Sequence, residues 1–407
     1  MVTPSSDGRV RVVVVVTRFM AGAGGVALRG ARALDPARYA VSFVTGGGRI
    51  SHDARQLGFD VTVLPDLVAD LSPRHDLRAV RELTRLLRDR RPDVVHTHSA
   101  KAGGIGRIAA RRAGVPLIVH TYHGFPFHEF QRPWTRWAYV VAERLLSRHT
   151  DVVLAVGSAV GVEAIRRRIV TPAQLRVTAV TVDGNPVACT PESRQRARMM
   201  LGISPSVSVV GTVGRLDYQK APQDFFQALQ RLRHRDALGV WIGAGPLRAD
   251  VERQVERAGL HERVLMLGER ADVRELLPAF DVFAMSSLYE GLPCAIVEAM
   301  MAGLPVVATA VNAVSDVVLP GETGLLVSPR QPAMLAAAID LVLDDPAAAN
   351  ARAARGRALL GDRFEPHRLG AILDDVYRSK LSPQSSADAP DQTSRLLASS
   401  AAEARLS

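Results

Sequence analysis

The chain has 407 residues, more than one ordinary hydrophobic core takes up, so two domains are expected. Its net charge of +10 is unevenly placed: residues 1–190 carry 27 Arg/Lys against 15 Asp/Glu (+12), residues 191–407 carry 24 against 26 (−2). Cys189 and Cys294 are too few and too far apart for a disulfide framework or a metal-ligand spacing, which points to a reducing cytosol.

No apolar run is long enough to span a bilayer, and the opening Val-rich run lacks a signal-peptide pattern. The expected location is cytoplasmic, at most peripheral on the inner face of the cell membrane. A basic first half attracts phospholipid headgroups or phosphorylated substrates, although Arg-rich stretches such as 78–93, 106–114 and 164–170 equally suit plain solvation of helix faces. No DNA- or RNA-binding module accompanies the charge, so nucleic acid is not an expected partner.

In chain order, β-rich runs occur at 10–17, 39–46, 59–65, 93–98, 116–124 and 151–157, with helical patterns between them. Continuous Val/Leu/Ile runs alternating with helices indicate parallel strands covered on both faces. A turn-rich break follows at 181–193. A second series then runs at 206–216, 238–245, 263–269, 281–287, 304–310 and 324–328. The fold class read from this is α/β: two doubly wound, Rossmann-like domains facing across a cleft, with ligands at the carboxyl ends of the strands. The domains are expected at 9–190 and 191–365, with 366–380 following as a helix. Residues 381–407 form a polar, small-residue-rich tail of disordered character.

After the first strand, Gly22, Gly24 and Ala27 fit a G-x-G-x-x-G/A phosphate loop, but no acid stands at the end of the second strand to hold a ribose. Arg49 there is compatible with a phosphorylated nicotinamide cofactor; close backbone approach to a phosphate or sugar is the better fit. His96 and His98 share one face of a strand end, and His120 and His123 lie on the next strand and its exit. Four His at adjacent strand ends are compatible with a metal, yet no carboxylate or Cys partner is evident. Lining of the interdomain cleft is preferred, with simple packing as the competing role for His96 and His98. Residues 123–137 mix Phe125, Phe127, Phe130, Trp134 and Trp137 with Arg132 and Arg136. Such a face suits an acceptor pocket, a membrane interface or ordinary helix packing.

In the second half, Arg215 and Lys220 follow the opening strand and can meet a diphosphate as fork and point charge. Residues 281–303 run from a strand through a Gly/Pro turn into an apolar helix. Pro293 suits the first helical position, and the free amides near Cys294 and Ala295 would face an anion. Glu290 in that loop and Glu298 inside the helix can grip vicinal hydroxyls, one set on a hexose and one on a ribose. The competing reading is an ordinary buried helix with solvated or capped acids.

Together, EGLPCAIVEAMMAGLPVVAT, GRLDYQK, GETGLLV and HTHSAKAGGIGRIAARRAGVP running into HTYHGFPFHEF resemble the retaining GT-B glycosyltransferases of family 4, the "group 1" glycosyltransferases, over roughly residues 10–380. The resemblance implies a hexosyltransferase whose second domain binds a nucleotide-sugar and whose first binds a hydroxyl acceptor. It implies that Arg215 and Lys220 hold the diphosphate, Glu298 the ribose and Glu290 the donor sugar. The amides of Gly291, Leu292, Pro293, Cys294 and Ala295 lie in the loop beside sugar and phosphate, Pro293 itself having none to offer. Glu269 and Arg270 would read the base through their backbone, Gly24 and Gly25 would approach the diphosphate, and His123 would lie over the donor sugar. His98, Lys101, Phe125 and Phe127 are the acceptor-side candidates, and residues 366–380 would cross back to the first domain. It also implies transfer with retention and no cofactor or metal. One departure stands out: the family's Asn-Gly-Val-Asp linker turn is replaced by VDGNPVA. A uridine diphosphate donor carrying glucose or N-acetylglucosamine is the expected co-substrate. The expected acceptor is a lipid-linked or cell-surface glycan precursor, with a small soluble acceptor such as an aminocyclitol in antibiotic biosynthesis as the alternative. A sugar-nucleotide epimerase and a non-catalytic membrane- or polyanion-binding module are the readings outside transfer.

Overall fold

A computed structural model describes residues 8–20, 22–182 and 187–381. The first sheet contains β1 (Val10–Val16), β2 (Tyr39–Thr45), β3 (Asp60–Val63), β4 (Val94–His98), β5 (Leu117–Tyr122), β6 (Val152–Val156) and β7 (Leu175–Thr178). Their order is β3-β2-β1-β4-β5-β6-β7. The second holds β8 (Val209–Val213), β9 (Leu238–Ile242), β10 (Val264–Gly268), β11 (Val282–Met285), β12 (Val306–Thr309) and β13 (Leu325–Val327). It is ordered β10-β9-β8-β11-β12-β13. Every pairing between these strands is parallel, which the Val-rich, two-face-buried runs demand. β7 escapes the sequence reading because it is a four-residue edge strand, LRVT, with Arg176 and Val177 exposed and no continuous apolar run.

Strand order reverses between β1 and β4 in one sheet and between β8 and β11 in the other. These switch points open crevices at the carboxyl ends of the strands. The glycine turn follows β1 and His98 ends β4; the Arg215–Lys220 loop follows β8 and the Glu290 loop follows β11. The topology therefore gathers the candidate residues before any side chain is considered.

The helix Pro191–Leu201 anchors the second domain. Thr190 caps it by accepting from Ser193 N, and Arg194 and Arg198 both pair with Asp281 at the foot of β11. The last helix, Pro366–Leu381, returns to the first domain, where Tyr377 Oη lies 2.7 Å from His96 Nδ1 and Tyr39 Oη donates to Asp374 Oδ1 at 2.8 Å. Leu381 closes this helix instead of opening the tail; residues 382–407 lie outside the described residues, as do Asp183–Pro186 of the departing linker turn. Arg107, within the stretch 106–114, does not solvate a helix face. It is fully buried and donates to Glu143 Oε2 at 2.8 Å, an acid that also accepts from Tyr122 Oη at 2.7 Å.

Candidate active site

The loop after β8 is pinned where it leaves the sheet, because Trp241 Nε1 donates to Gly214 O at 2.8 Å. Arg215 beyond it is open, its side chain 65% exposed, with Nε 3.4 Å from Asp217 Oδ2. Lys220 turns inward, and its Nζ lies 2.5 Å from Glu290 Oε1. Gln219 Nε2 donates to the other Glu290 oxygen at 3.2 Å and to Tyr289 O at 3.0 Å. Glu290 is buried, and its own amide donates to Asn312 Oδ1 at 3.0 Å. A buried carboxylate needs such partners, and these fix its orientation.

Pro293 does not take the first helical position. It is the N-cap residue, with ψ at 108°, and the helix opens at Cys294 and ends at Ala302. Its extended ψ turns its carbonyl to accept from Ile296 N at 3.1 Å, leaving the amides of Cys294 and Ala295 ahead of the first such bond. That is an anion-facing helix start, one residue later than expected. Burial pushes the Cys294 thiol up to about 11; Arg29 and Lys220 act against this, Glu298 and Glu290 with it. The two candidate acids and two cations thus surround one helix start. Glu298 is half-buried, just over a turn inside.

Across the cleft, Gly291 meets His123: a Cβ on Gly291 would overlap the His123 carbonyl oxygen. The loop after β11 thus reaches the first domain backbone to backbone. His123 Nε2 and His98 Nδ1 lie 2.9 Å apart. His96 uses both ring nitrogens, with Tyr377 Oη and Thr121 Oγ1 each at 2.7 Å, and His120 Nδ1 meets Thr97 Oγ1 at 2.8 Å. Burial depresses all four imidazoles, His123 to about 4 and His96 to about 3. Arg29 adds to the effect at His123. The rings stack and bond to one another and to hydroxyls; no group of three or more His, Cys, Asp or Glu among the described residues is placed to hold a metal ion.

The remaining candidates divide. Gly24 and Gly25 are buried at the start of the helix Ala23–Arg32. A Cβ on Gly25 would come 3.2 Å from Arg29 Nη1, so its bareness makes room for that guanidinium. Arg29 escaped the sequence reading, although an arginine one turn beyond a glycine pair was a usable signal. Glu269 lies on the cleft side, 4.0 Å from Arg49 of the other domain, and Arg270 is tied to Asp272 at 2.5 Å. Lys101 is committed within its own domain, to Asp76 at 2.5 Å and to Asp70 O at 2.9 Å. Phe127 is buried in an apolar cluster with Tyr122 and Val140, and Phe125 stacks on it at 4.6 Å.

The family model "Glycosyl transferases group 1" matches residues 207–345, and "Glycosyl transferase 4-like domain" matches residues 21–181. The chain is 34% identical over 254 residues to the UDP-Gal:alpha-D-GlcNAc-diphosphoundecaprenol alpha-1,3-galactosyltransferase of Escherichia coli, covering 61% of this chain and 66% of that one. It is 31% identical over 328 residues to the 2-deoxystreptamine glucosyltransferase of Streptomyces kanamyceticus, covering 74% and 81% respectively. Among solved structures, Anabaena HepE in complex with UDP and glucose superposes with a TM-score of 0.80 at 22% identity, over 91% of this chain and 100% of that one. Two Rossmann-like sheets, the paired domain matches and these relatives converge: the chain belongs to the group 1 glycosyltransferases of family 4 and is a nucleotide-sugar-dependent hexosyltransferase of GT-B architecture.

Proposed function

We propose that the protein transfers a hexose or N-acetylhexosamine from a uridine diphosphate sugar to a lipid-linked glycan precursor, with retention and without a metal. The observation that carries the donor half is the meeting of Lys220, Glu290 and the Cys294 helix start opposite His123. Arg215, Lys220 and the amides of Cys294 and Ala295 meet the diphosphate, Glu298 the ribose and Glu290 the sugar hydroxyls. As the anomeric C–O bond to the diphosphate breaks, these groups stabilise the charge that develops on the leaving oxygen. The acceptor hydroxyl attacks from the same face, and its proton passes to the departing phosphate. His123 is neutral at physiological pH and acts as a hydrogen-bonding wall, not as a cation.

The acceptor half rests on the helix Pro133–Ser147, which leaves the His123 loop. Trp134 and Trp137 are 66% and 67% exposed, and Leu145 is 52% exposed, along one stripe with the exposed Arg144 and Arg148 beside it. Exposed Trp beside Arg suits the boundary of an anionic bilayer, which supports a lipid-linked acceptor met on the inner face of the membrane. No helix among the described residues is long and apolar enough to cross a membrane. The Escherichia coli relative, named for a diphosphoundecaprenol acceptor, supports this reading; the 2-deoxystreptamine relative supports a soluble aminocyclitol instead.

The test is sugar transfer from labelled UDP-sugars to washed membranes and to 2-deoxystreptamine, alongside flotation with anionic vesicles. Label entering the organic-extractable fraction, with flotation reduced by Trp134→Ser/Trp137→Ser, supports the lipid-linked reading. Transfer to the aminocyclitol alone, without flotation, replaces it.

A further inference from the structure

The segment between His123 and the helix Pro133–Ser147 does not rest on its own domain only. His128 stacks on Tyr289 of the second domain, with ring centroids 4.2 Å apart and planes 9° from parallel. Two residues on, the Arg330 guanidinium lies 4.1 Å from the centre of the Phe130 ring. Arg330 Nη2 also donates to Tyr218 Oη at 2.6 Å. Arg330 holds a left-handed backbone, φ 60°, a conformation that a non-glycine residue keeps when surrounding contacts hold it.

The second-domain partners are interleaved with the donor residues. Tyr218 lies between Arg215 and Lys220 in the chain, and Tyr289 immediately precedes Glu290. Gln219 ties the two segments together through Tyr289 O and Glu290 Oε2, and Leu288 N donates to Gln219 O at 2.8 Å. Any shift of the Lys220 or Glu290 loop on meeting a diphosphate sugar is therefore delivered to His128 and Phe130, and through them to the loop that carries His123.

We propose that His128–Tyr289 and Phe130–Arg330–Tyr218 form an interdomain clasp that positions the acceptor-domain loop, so that seating the donor and ordering the acceptor side are one event. Tyr289, His128 and Arg330 are positioning residues in this account, which rests on the donor-site reading above. A stack and a cation–π contact of these kinds together support an effect of roughly tenfold on transfer.

The experiment compares wild type, Tyr289→Ala, Tyr289→Phe and Arg330→Ala by UDP titration calorimetry, by the ratio of sugar transfer to donor hydrolysis, and by hydrogen exchange of residues 124–132 with and without UDP. The clasp predicts that Tyr289→Ala and Arg330→Ala keep the UDP Kd within about twofold, since both side chains are committed to first-domain rings and neither is among the proposed donor-binding residues. It predicts that each lowers the transfer-to-hydrolysis ratio roughly threefold and loses the protection of 124–132 that UDP induces in wild type. Tyr289→Phe, which keeps the stack, restores both. Unchanged ratio and protection in the Ala variants overturn the clasp, as does a fall in UDP affinity that matches the fall in transfer. A wild-type protein that binds no nucleoside diphosphate overturns the donor-site reading itself, a separate outcome.

Discussion

Lys220 Nζ and Glu290 Oε1 lie 2.5 Å apart, and this pair joins the loop after β8 to the loop after β11 at the switch point of the second sheet. Each group serves the other: the ammonium gives a buried carboxylate its charged partner, and the carboxylate holds the ammonium where a diphosphate would sit. Lys220→Ala removes both services. It is expected to lower thermal stability and weaken UDP binding by roughly ten- to a hundredfold, the worth of one charge-assisted hydrogen bond. Glu290→Gln should leave UDP affinity at least as strong, because Lys220 is released, while sugar transfer falls by roughly a hundredfold. Calorimetry and initial rates on the two variants separate these roles. Weaker UDP binding in Glu290→Gln would contradict the division.

Gly291 is the second place where one atom decides. Because a Cβ there overlaps the His123 carbonyl oxygen, Gly291→Ala must push the two domains apart. The expected result is a fall in kcat of at least about a hundredfold, since misplacement of about 1 Å costs that much. The melting temperature should move little, because the strain is relieved by opening the cleft and not by unfolding either core. A fully active Gly291→Ala would show that the contact is not made during turnover.

Much of this was legible in the sequence. The strand–helix alternation gave both sheets, because Val-rich runs buried on two faces have no other common use; it missed only the Leu175–Thr178 edge strand, whose half-polar sequence carries no such run. Glu290, Lys220 and the helix start were found because they are close in sequence to turn residues that mark strand ends. Distance in sequence hid the rest. The glycine pair one turn before Arg29 marks it as a candidate but does not say that its charge reaches His123 and Cys294, and nothing local to Lys101 says that Asp76 and Asp70 engage it. The spacing of the histidines was compatible with a metal as well as with the preferred cleft lining, because spacing gives proximity without orientation. In the fold, Thr97, Thr121 and Tyr377 take ring nitrogens that coordination would need.

The histidine cluster makes stability depend on pH. His123 and His96 are held neutral by burial, at about 4 and about 3, against an ordinary value of 6.5. Between about pH 6.5 and pH 4 the unfolded chain therefore binds more protons than the folded one, so stability is full above pH 6.5 and declines as pH falls. Each such histidine contributes a slope of about 1.4 kcal/mol per pH unit within that window. Urea unfolding at pH 7.5, 6.0 and 5.0 should show the decline, and His96→Asn should make it shallower by one histidine's share. A flat profile from pH 7.5 to 5.0 would mean that these rings are not neutral and buried in the folded state.

The Arg107–Glu143–Tyr122 group lies under the loop that carries His123. Glu143→Ala strands a fully buried guanidinium and is expected to cost about 3–5 kcal/mol of stability. Urea unfolding checks the value, and UDP affinity should be retained wherever the variant is folded, since the group lies in the other domain. A loss of under about 1 kcal/mol would place the pair in contact with solvent.

The central claim is a nucleotide-sugar site built from Lys220, Glu290, Glu298 and the Cys294 helix start that needs no metal. Calorimetric titration of UDP and a panel of UDP-sugars into the wild-type protein and Glu298→Ala, each in chelator and again in magnesium, tests it most directly. The account predicts binding in chelator, little changed by magnesium and weakened roughly tenfold or more by Glu298→Ala, the loss expected when a carboxylate bonded to a hydroxyl is removed. Binding that requires magnesium, or that ignores Glu298→Ala, would contradict it.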